Sequence, residues 1–146
     1  MTRTLRKLSA ACAAATSLEF ALVALPLMMI TFGTVESARL IWTRQALQTA
    51  ATEAARCIGV RASDCTSGGA YSSSNATSYA QQIAAGWGVT LPGDDLTMSR
   101  TAASGVCTGM SEVSISYTFQ TAVPGLLPML SGASALTAHA CFPNQS

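Results

Sequence analysis

From Leu18 to Val35 the chain is apolar almost without a break, and its only charge there is Glu19. Counted from Ala15 to Val35, the run spans about 31 Å as a helix, enough to cross the hydrocarbon core of a bilayer. Pro26 falls inside it, removes one backbone donor and predicts a kink; Gly33 is a second weak point. After Glu36 the pattern turns amphipathic. Leu40, Leu47, Ala51, Ala54 and Ile58 recur on one helical face, and Arg39, Arg44, Gln48 and Glu53 interrupt it. Glu36 with Arg39, and Glu53 with Arg56, are spaced to pair along the helix. The helical signal runs to about Ile58. Its alanine-rich end, residues 47–58, is expected to pack on the chain's own C-terminal domain.

Beyond it the periodicity changes. Residues 62–78 read as a polar Gly/Ser-rich loop. A short helix is predicted over roughly 75–86, with Tyr79 and Ile83 on one face. Strand-like segments follow at 95–100, 112–121 and 135–142. The middle one alternates, with Val113, Ile115, Tyr117 and Phe119 on one side and Ser114, Ser116 and Thr118 on the other. Residues 124–134, "PGLLPMLSGAS", form a connector with an apolar centre, suited to packing on the sheet or touching a membrane or partner. These elements predict an α+β fold: a long N-terminal helix, half transmembrane and half amphipathic, packed on a small disulfide-stapled antiparallel β-sheet domain. The expected organisation is a basic leader (1–14), a transmembrane helix (15–35), its amphipathic continuation (36–58) and a small extracytoplasmic domain (59–146).

Composition agrees with an anchored chain. Of the 146 residues, 49% are hydrophobic and only 10% charged, against about 25% charged in a typical soluble domain. Mean hydropathy is +0.36. Arg3, Arg6 and Lys7 supply three of the eight basic residues; the remainder of the chain carries five basic and seven acidic residues, a balance of −2. No basic patch is left for nucleic acid. Basic residues ahead of the apolar run place the N-terminus in the cytoplasm and the C-terminal body outside. The order of signals is inverted relative to a secretory signal peptide: the small residues "SAACAAATS" precede the apolar core instead of following it. Processing in that stretch would keep the apolar segment. Processing after Gly33 would remove it and is the main competing reading.

Outside the leader, which holds Cys12, four cysteines remain: Cys57, Cys65, Cys107 and Cys141. An even number in an exported domain points to two disulfides, with three possible connectivities. The pairing chosen is Cys57–Cys65, tying the helix end to the following loop, and Cys107–Cys141, stapling the strand region. A Cys₄ metal site is disfavoured, because no C-x-x-C spacing occurs.

"EFALV-LP" at 19–26, "FG--E--RL" at 32–40 and "LQ-AA-EAAR" at 47–56 make residues 17–56 resemble the N-terminal helix of TadE-like pseudopilins of the tight-adherence (Flp) pilus system. The resemblance implies cleavage by a prepilin peptidase on the cytoplasmic side. In that family a glutamate followed by an aromatic lies fifth after the cut; Glu19-Phe20 then places the bond between Ala14 and Ala15. The family usually carries glycine before the bond, where this chain has Ala14. The resemblance also implies a role for Glu19: its carboxylate neutralises the new α-amine of a neighbouring subunit. The implied partners are the prepilin peptidase, other pilin-like subunits, the pilus assembly platform and the membrane. The implied location is the bacterial inner membrane, crossed once, with the C-terminal domain periplasmic.

Little in the sequence suggests catalysis. His139 is the only histidine, and its place in a predicted strand beside Cys141 suggests a structural role. Asp94 and Asp95 read as a turn after Pro92-Gly93. There is no phosphate-binding loop, and neither a cofactor nor a metal is expected. "NAT" at 75–77 matches a glycosylation acceptor, a short and common pattern. Trp42 reads as a membrane-interface anchor and Trp87 as a core residue. The expected function is that of a non-enzymatic, pilin-like subunit supporting Flp/Tad-type pilus assembly and hence adhesion. Two alternatives are a pseudopilin of a type II-like secretion system and a membrane-tethered binding module with no filament role.

Overall fold

The computed structural model describes the backbone of residues 2–121 and 135–145, and the side chains of residues 17–121 and 135–145. The connector at 124–134 lies outside the described residues. The chain divides into two compact units, Met1–Ala38 and Arg39–Ser146. The first is helical, belonging to α1 (Thr2–Gly59), whose helical assignment runs through Pro26. The second unit begins at Arg39, so the helical residues 39–59 are grouped with the sheets rather than with the apolar segment.

In the second unit, α1 is followed by a 3₁₀ turn at Ser63–Cys65, β1 (Thr66–Ser67), β2 (Ala70–Tyr71), α2 (Ser73–Gly86), a 3₁₀ turn at Gly93–Asp95, β3 (Leu96–Ser99), β4 (Ser111–Thr118) and β5 (Ala135–Phe142). β1 and β2 form a two-stranded hairpin. β3, β4 and β5 form an antiparallel sheet in sequence order. Register follows the alternation: Val113 lies opposite Ala140 and Met98, and Ile115 opposite Ala138 and Leu96. Those positions face the core; Ser114, Ser116, Thr137 and His139 occupy the alternate positions.

The core is alanine-rich. Ala46, Leu47, Ala50, Ala51, Ala54, Ala55 and Ile58 of α1 are buried to within 1%. They cluster with Ala76, Ala80 and Ala84 of α2 and with Val113, Ile115, Leu136, Ala138 and Ala140 of the sheet. The predicted face of residues 47–58 is thus the packing face, and Leu40 lies partly buried against it. In α2 the alanines, not Tyr79 and Ile83, make the innermost stripe; the two larger side chains are half-buried at its flanks. Alanine lets helix backbones approach closely but contributes little apolar area each, and among the described residues only Leu47, Ile58, Ile115 and Val113 are large, apolar, fully buried non-cysteine side chains. A core this thin depends on added staples.

Both helices end in a Schellman motif. In α2, Gly88 N–H donates to the Ala85 carbonyl and Val89 N–H to that of Ala84, with Gly88 at φ +77°. In α1, Arg61 N–H donates to Ile58 and Ala62 N–H to Cys57, but the left-handed position is held by Arg61, at φ +56°. Gly59 is the last residue of α1. A Cβ there would lie 2.5 Å from Phe142 Cδ1 and 3.0 Å from the Pro143 carbonyl oxygen. Its own carbonyl accepts from Gln145 N–H.

Two sequence readings are corrected. Residues 62–78 are not simply a loop: they contain β1, β2 and the start of α2. The turn between the strands is Gly68-Gly69, both at positive φ, the type I′ geometry of a two-residue hairpin. Trp87 is not a core residue. It caps α2, is 37% exposed, and its carbonyl accepts from Trp42 Nε1 at 3.0 Å. The two rings lie 5.2 Å apart.

Candidate functional site

The most unusual surface belongs to the apolar half of α1. Leu18, Phe20, Leu22, Val23, Leu25, Leu27, Met28, Met29, Ile30, Phe32 and Val35 are each at least 50% exposed. They are distributed right round the helix, so no orientation hides them from water. Mean hydropathy over the best 18-residue window is 1.9. An all-round apolar helix is stable only in lipid or in a core. Its hydroxyls are already matched within the helix: Thr31 Oγ1 donates to the Leu27 carbonyl, Thr34 Oγ1 to Thr31 and Ser37 Oγ to Gly33, each at 2.8 Å. Back-bonding of this kind lets serine and threonine sit at membrane depth without an unpaired donor.

Glu19 and Phe20 lie next to one another near the start of this surface, and both are exposed. The Ala14–Ala15 bond lies within the helical backbone of α1, while the side chains of these two residues are outside those described. Glu19 follows Ala15 by four residues, about 6 Å along a helix axis. A chain beginning at Ala15 would carry its amine and this carboxylate within a little over one turn of each other, with the carboxylate at the positive end of the helix dipole.

The second unit carries a different chemistry. Cys57 is bonded to Cys65 and Cys107 to Cys141, the pairs chosen from the sequence, with Cα separations of 6.0 and 5.4 Å. His139 Nε2 lies 2.8 Å from Glu112 Oε1 and 3.6 Å from Cys107 Sγ. Nothing in the sequence spacing announces that contact, because its residues come from a loop and two strands. A cleft of about 470 Å³ opens where Arg39, Thr43, Val89, Tyr117 and Phe119 meet. The Arg39 guanidinium lies 5.6 Å from the centre of the Phe119 ring, within cation–π range. Its lining combines one cation, Arg39, and one carboxylate, Asp95, with hydroxyls and aromatic faces; His139 and Glu112 are not part of it.

Asn75, of the "NAT" pattern, is engaged in the fold. Its Nδ2 donates to the Thr66 carbonyl at 2.7 Å, and its backbone N–H to the α2 cap, Ser72 Oγ. Tyr71 packs against the core with its hydroxyl buried and without a hydrogen-bond partner among the described residues; burial pushes its phenol above the ordinary value of 10.0.

Residues 14–56 match the family model described as TadE-like protein. The match takes in the apolar run, Glu19 and most of the amphipathic half of α1, and covers less than a third of the chain. No curated protein and no solved structure matches the chain.

Proposed function

We propose, from a helix that matches the TadE-like family over residues 14–56, that this chain is a pilin-like membrane subunit supporting assembly of a Tad/Flp-type pilus, and through it adhesion. The observation that carries the reading is the exposed, all-round apolar surface of residues 18–35 with Glu19 near its start. Lipid, or the helices of other pilin-like subunits in lipid, would cover that surface. In this reading a prepilin peptidase cuts between Ala14 and Ala15 on the cytoplasmic side of the inner membrane and leaves the apolar helix in place. The new Ala15 amine of one subunit then meets Glu19 of the next, on the assembly platform, while the cysteine-stapled unit stands in the periplasm.

The energetics favour a specific use of Glu19. A carboxylate at mid-bilayer costs roughly 2.5–3.5 kcal/mol on insertion scales, and less near the edge. An ion pair formed in apolar surroundings offsets that cost more than one formed in water. The same carboxylate without a partner is only a burden on insertion.

The test is the mature N-terminus. Sequencing of the membrane-extracted protein should begin at Ala15. A start at Thr34 would mean ordinary secretion with loss of the helix, and an uncut chain would mean a simple membrane-tethered module; either defeats the pilin-like reading. Glu19→Ala should still insert but should no longer co-purify with the pilus assembly complex.

A further inference from the structure

We propose that the Cys107–Cys141 bridge masks a transition-metal site: once the bridge is reduced, Cys107, Cys141, His139 and Glu112 bind one Zn²⁺. The proposal does not depend on the pilin-like reading. The Sγ atoms of Cys107 and Cys141 and a ring nitrogen of His139 all lie within 4.8 Å of one another. Glu112 Oε1 is 2.8 Å from His139 Nε2. A tetrahedral zinc with bonds of about 2.3 Å to sulfur and about 2.0 Å to nitrogen or oxygen needs ligand-to-ligand edges of about 3.3–3.8 Å. The edge from His139 Nε2 to Cys107 Sγ is already 3.6 Å. The edge from His139 Nε2 to Glu112 Oε1 has only to lengthen slightly, and the flexible Glu112 side chain supplies the fourth ligand by rotation. The two sulfurs must part from bonding distance to about 3.8 Å.

The backbone holds these four residues in place independently of the bridge. Glu112 is the cross-strand partner of Cys141, and Ser114 that of His139, so register fixes three of the ligands on adjacent strands. The His139 carbonyl accepts from Gln48 Nε2 of α1 at 3.1 Å. The loop carrying Cys107 is closed by Met110 N–H donating to the Cys107 carbonyl and Gly109 N–H to that of Ala102. Access is from the histidine side: the His139 and Glu112 side chains are 44% and 30% exposed, while Cys107 is fully buried. The donor set, two thiolates, an imidazole and a carboxylate, suits zinc in particular.

The chemistry balances with a dithiol as reductant. The Cys107–Cys141 bond breaks, the dithiol closes to its own disulfide, and its two hydrogens end on the two cysteine sulfurs. Metal binding then expels both as protons to solvent. Oxidised chain and metal-bound chain are thus alternative staples of the same loop to the same strand.

The experiment uses the full chain in detergent, with Co²⁺ as a spectroscopic probe, before and after dithiol reduction and removal of the reductant. The reduced chain should take up one Co²⁺ with thiolate-to-cobalt charge-transfer absorption, and the oxidised chain should show none. The same should hold for the Cys12→Ala/Cys57→Ala/Cys65→Ala chain, which keeps only the proposed ligand thiols. His139→Ala should weaken binding at least about tenfold, the loss that even an outer-shell partner carries. Charge-transfer bands absent from the reduced chain overturn the proposal. So does undiminished affinity in both His139→Ala and Glu112→Ala. Far-UV circular dichroism covers the remaining case: a reduced chain that unfolds and is not refolded by Zn²⁺ also overturns it.

Discussion

At the scale of single residues, two side chains occupy positions that their chemistry does not favour. Tyr71 buries a hydroxyl with no partner among the described residues. A buried, unmade hydrogen bond costs about 1–3 kcal/mol, so Tyr71→Phe should fold at least as stably as the parent and by up to about 1 kcal/mol better, read as an increase in thermal midpoint. The same substitution has a pH signature. The folded-state phenol is raised above 10.0 by burial, so its contribution is complete below pH 10 and is lost as pH rises through the folded value. The parent should therefore lose midpoint above about pH 10 faster than Tyr71→Phe does, and parallel alkaline curves would show that the hydroxyl is solvated. Arg61 sits in the left-handed region, at φ +56°, in the role that Gly88 fills for α2. That conformation costs a non-glycine residue about 1–2 kcal/mol, part of which glycine returns as unfolded-state entropy. Arg61→Gly should raise stability by about 0.5–1 kcal/mol in urea unfolding, with an unchanged denaturant slope.

At the scale of elements, the same helix end shows what a sequence can and cannot convey. Gly59 is the residue a reader would choose as the helix stop, yet α1 runs through it and caps at Arg61. Glycine is required at 59 for another reason: Phe142 and the Pro143 carbonyl, more than eighty positions away, close on its missing Cβ. Gly59→Ala should therefore cost about 1–2 kcal/mol, because overpacking outweighs alanine's better helix propensity; a midpoint equal to or above the parent's would mean that Phe142 simply swings aside. The long helix, its buried face over 47–58 and the alternation of β4 were legible because periodicity and apolarity are properties of consecutive residues. β5 reads as a strand despite three alanines, with Thr137 and Phe142 as its only β-branched or aromatic residues. The β1–β2 hairpin was not, since strands of two residues have no period to display, although Gly68-Gly69 marked the turn. Trp87 misled because its size suggests a core, whereas here it caps α2 and meets Trp42 at the surface. Of the candidate site, Glu19 stood out as a charge in an apolar run. The meeting of His139, Glu112 and Cys107 did not, because only the β4–β5 register and a loop closure bring them together.

At the scale of the whole molecule, an alanine-rich core must be closed from outside, and the two bridges do so unequally. Cys57–Cys65 encloses a sequence separation of 8 and Cys107–Cys141 one of 34. Chain-entropy arithmetic gives about 2.5 kcal/mol for the first and about 3.8 kcal/mol for the second. The larger value belongs to the bridge that ties the β3–β4 loop to the end of β5. The C-terminal segment is joined there by a second clasp: Asn144 Nδ2 donates to the Arg100 and Gly109 carbonyls, and the fully buried Ser111 Oγ donates to Asn144 Oδ1 at 2.6 Å. None of these hydrogen bonds involves the cystine, so the strand region has a closure separate from the disulfide. The short bridge has a different supporting context: the helix end it secures is already fixed by the Schellman hydrogen bonds to Ile58 and Cys57 and by the burial of Ile58. Urea unfolding of the Cys57→Ala/Cys65→Ala and Cys107→Ala/Cys141→Ala chains should thus give losses in the ratio of roughly two to three, the second pair costing more. Equal losses, or a larger one from the short bridge, would show that native packing at the end of α1 outweighs loop entropy.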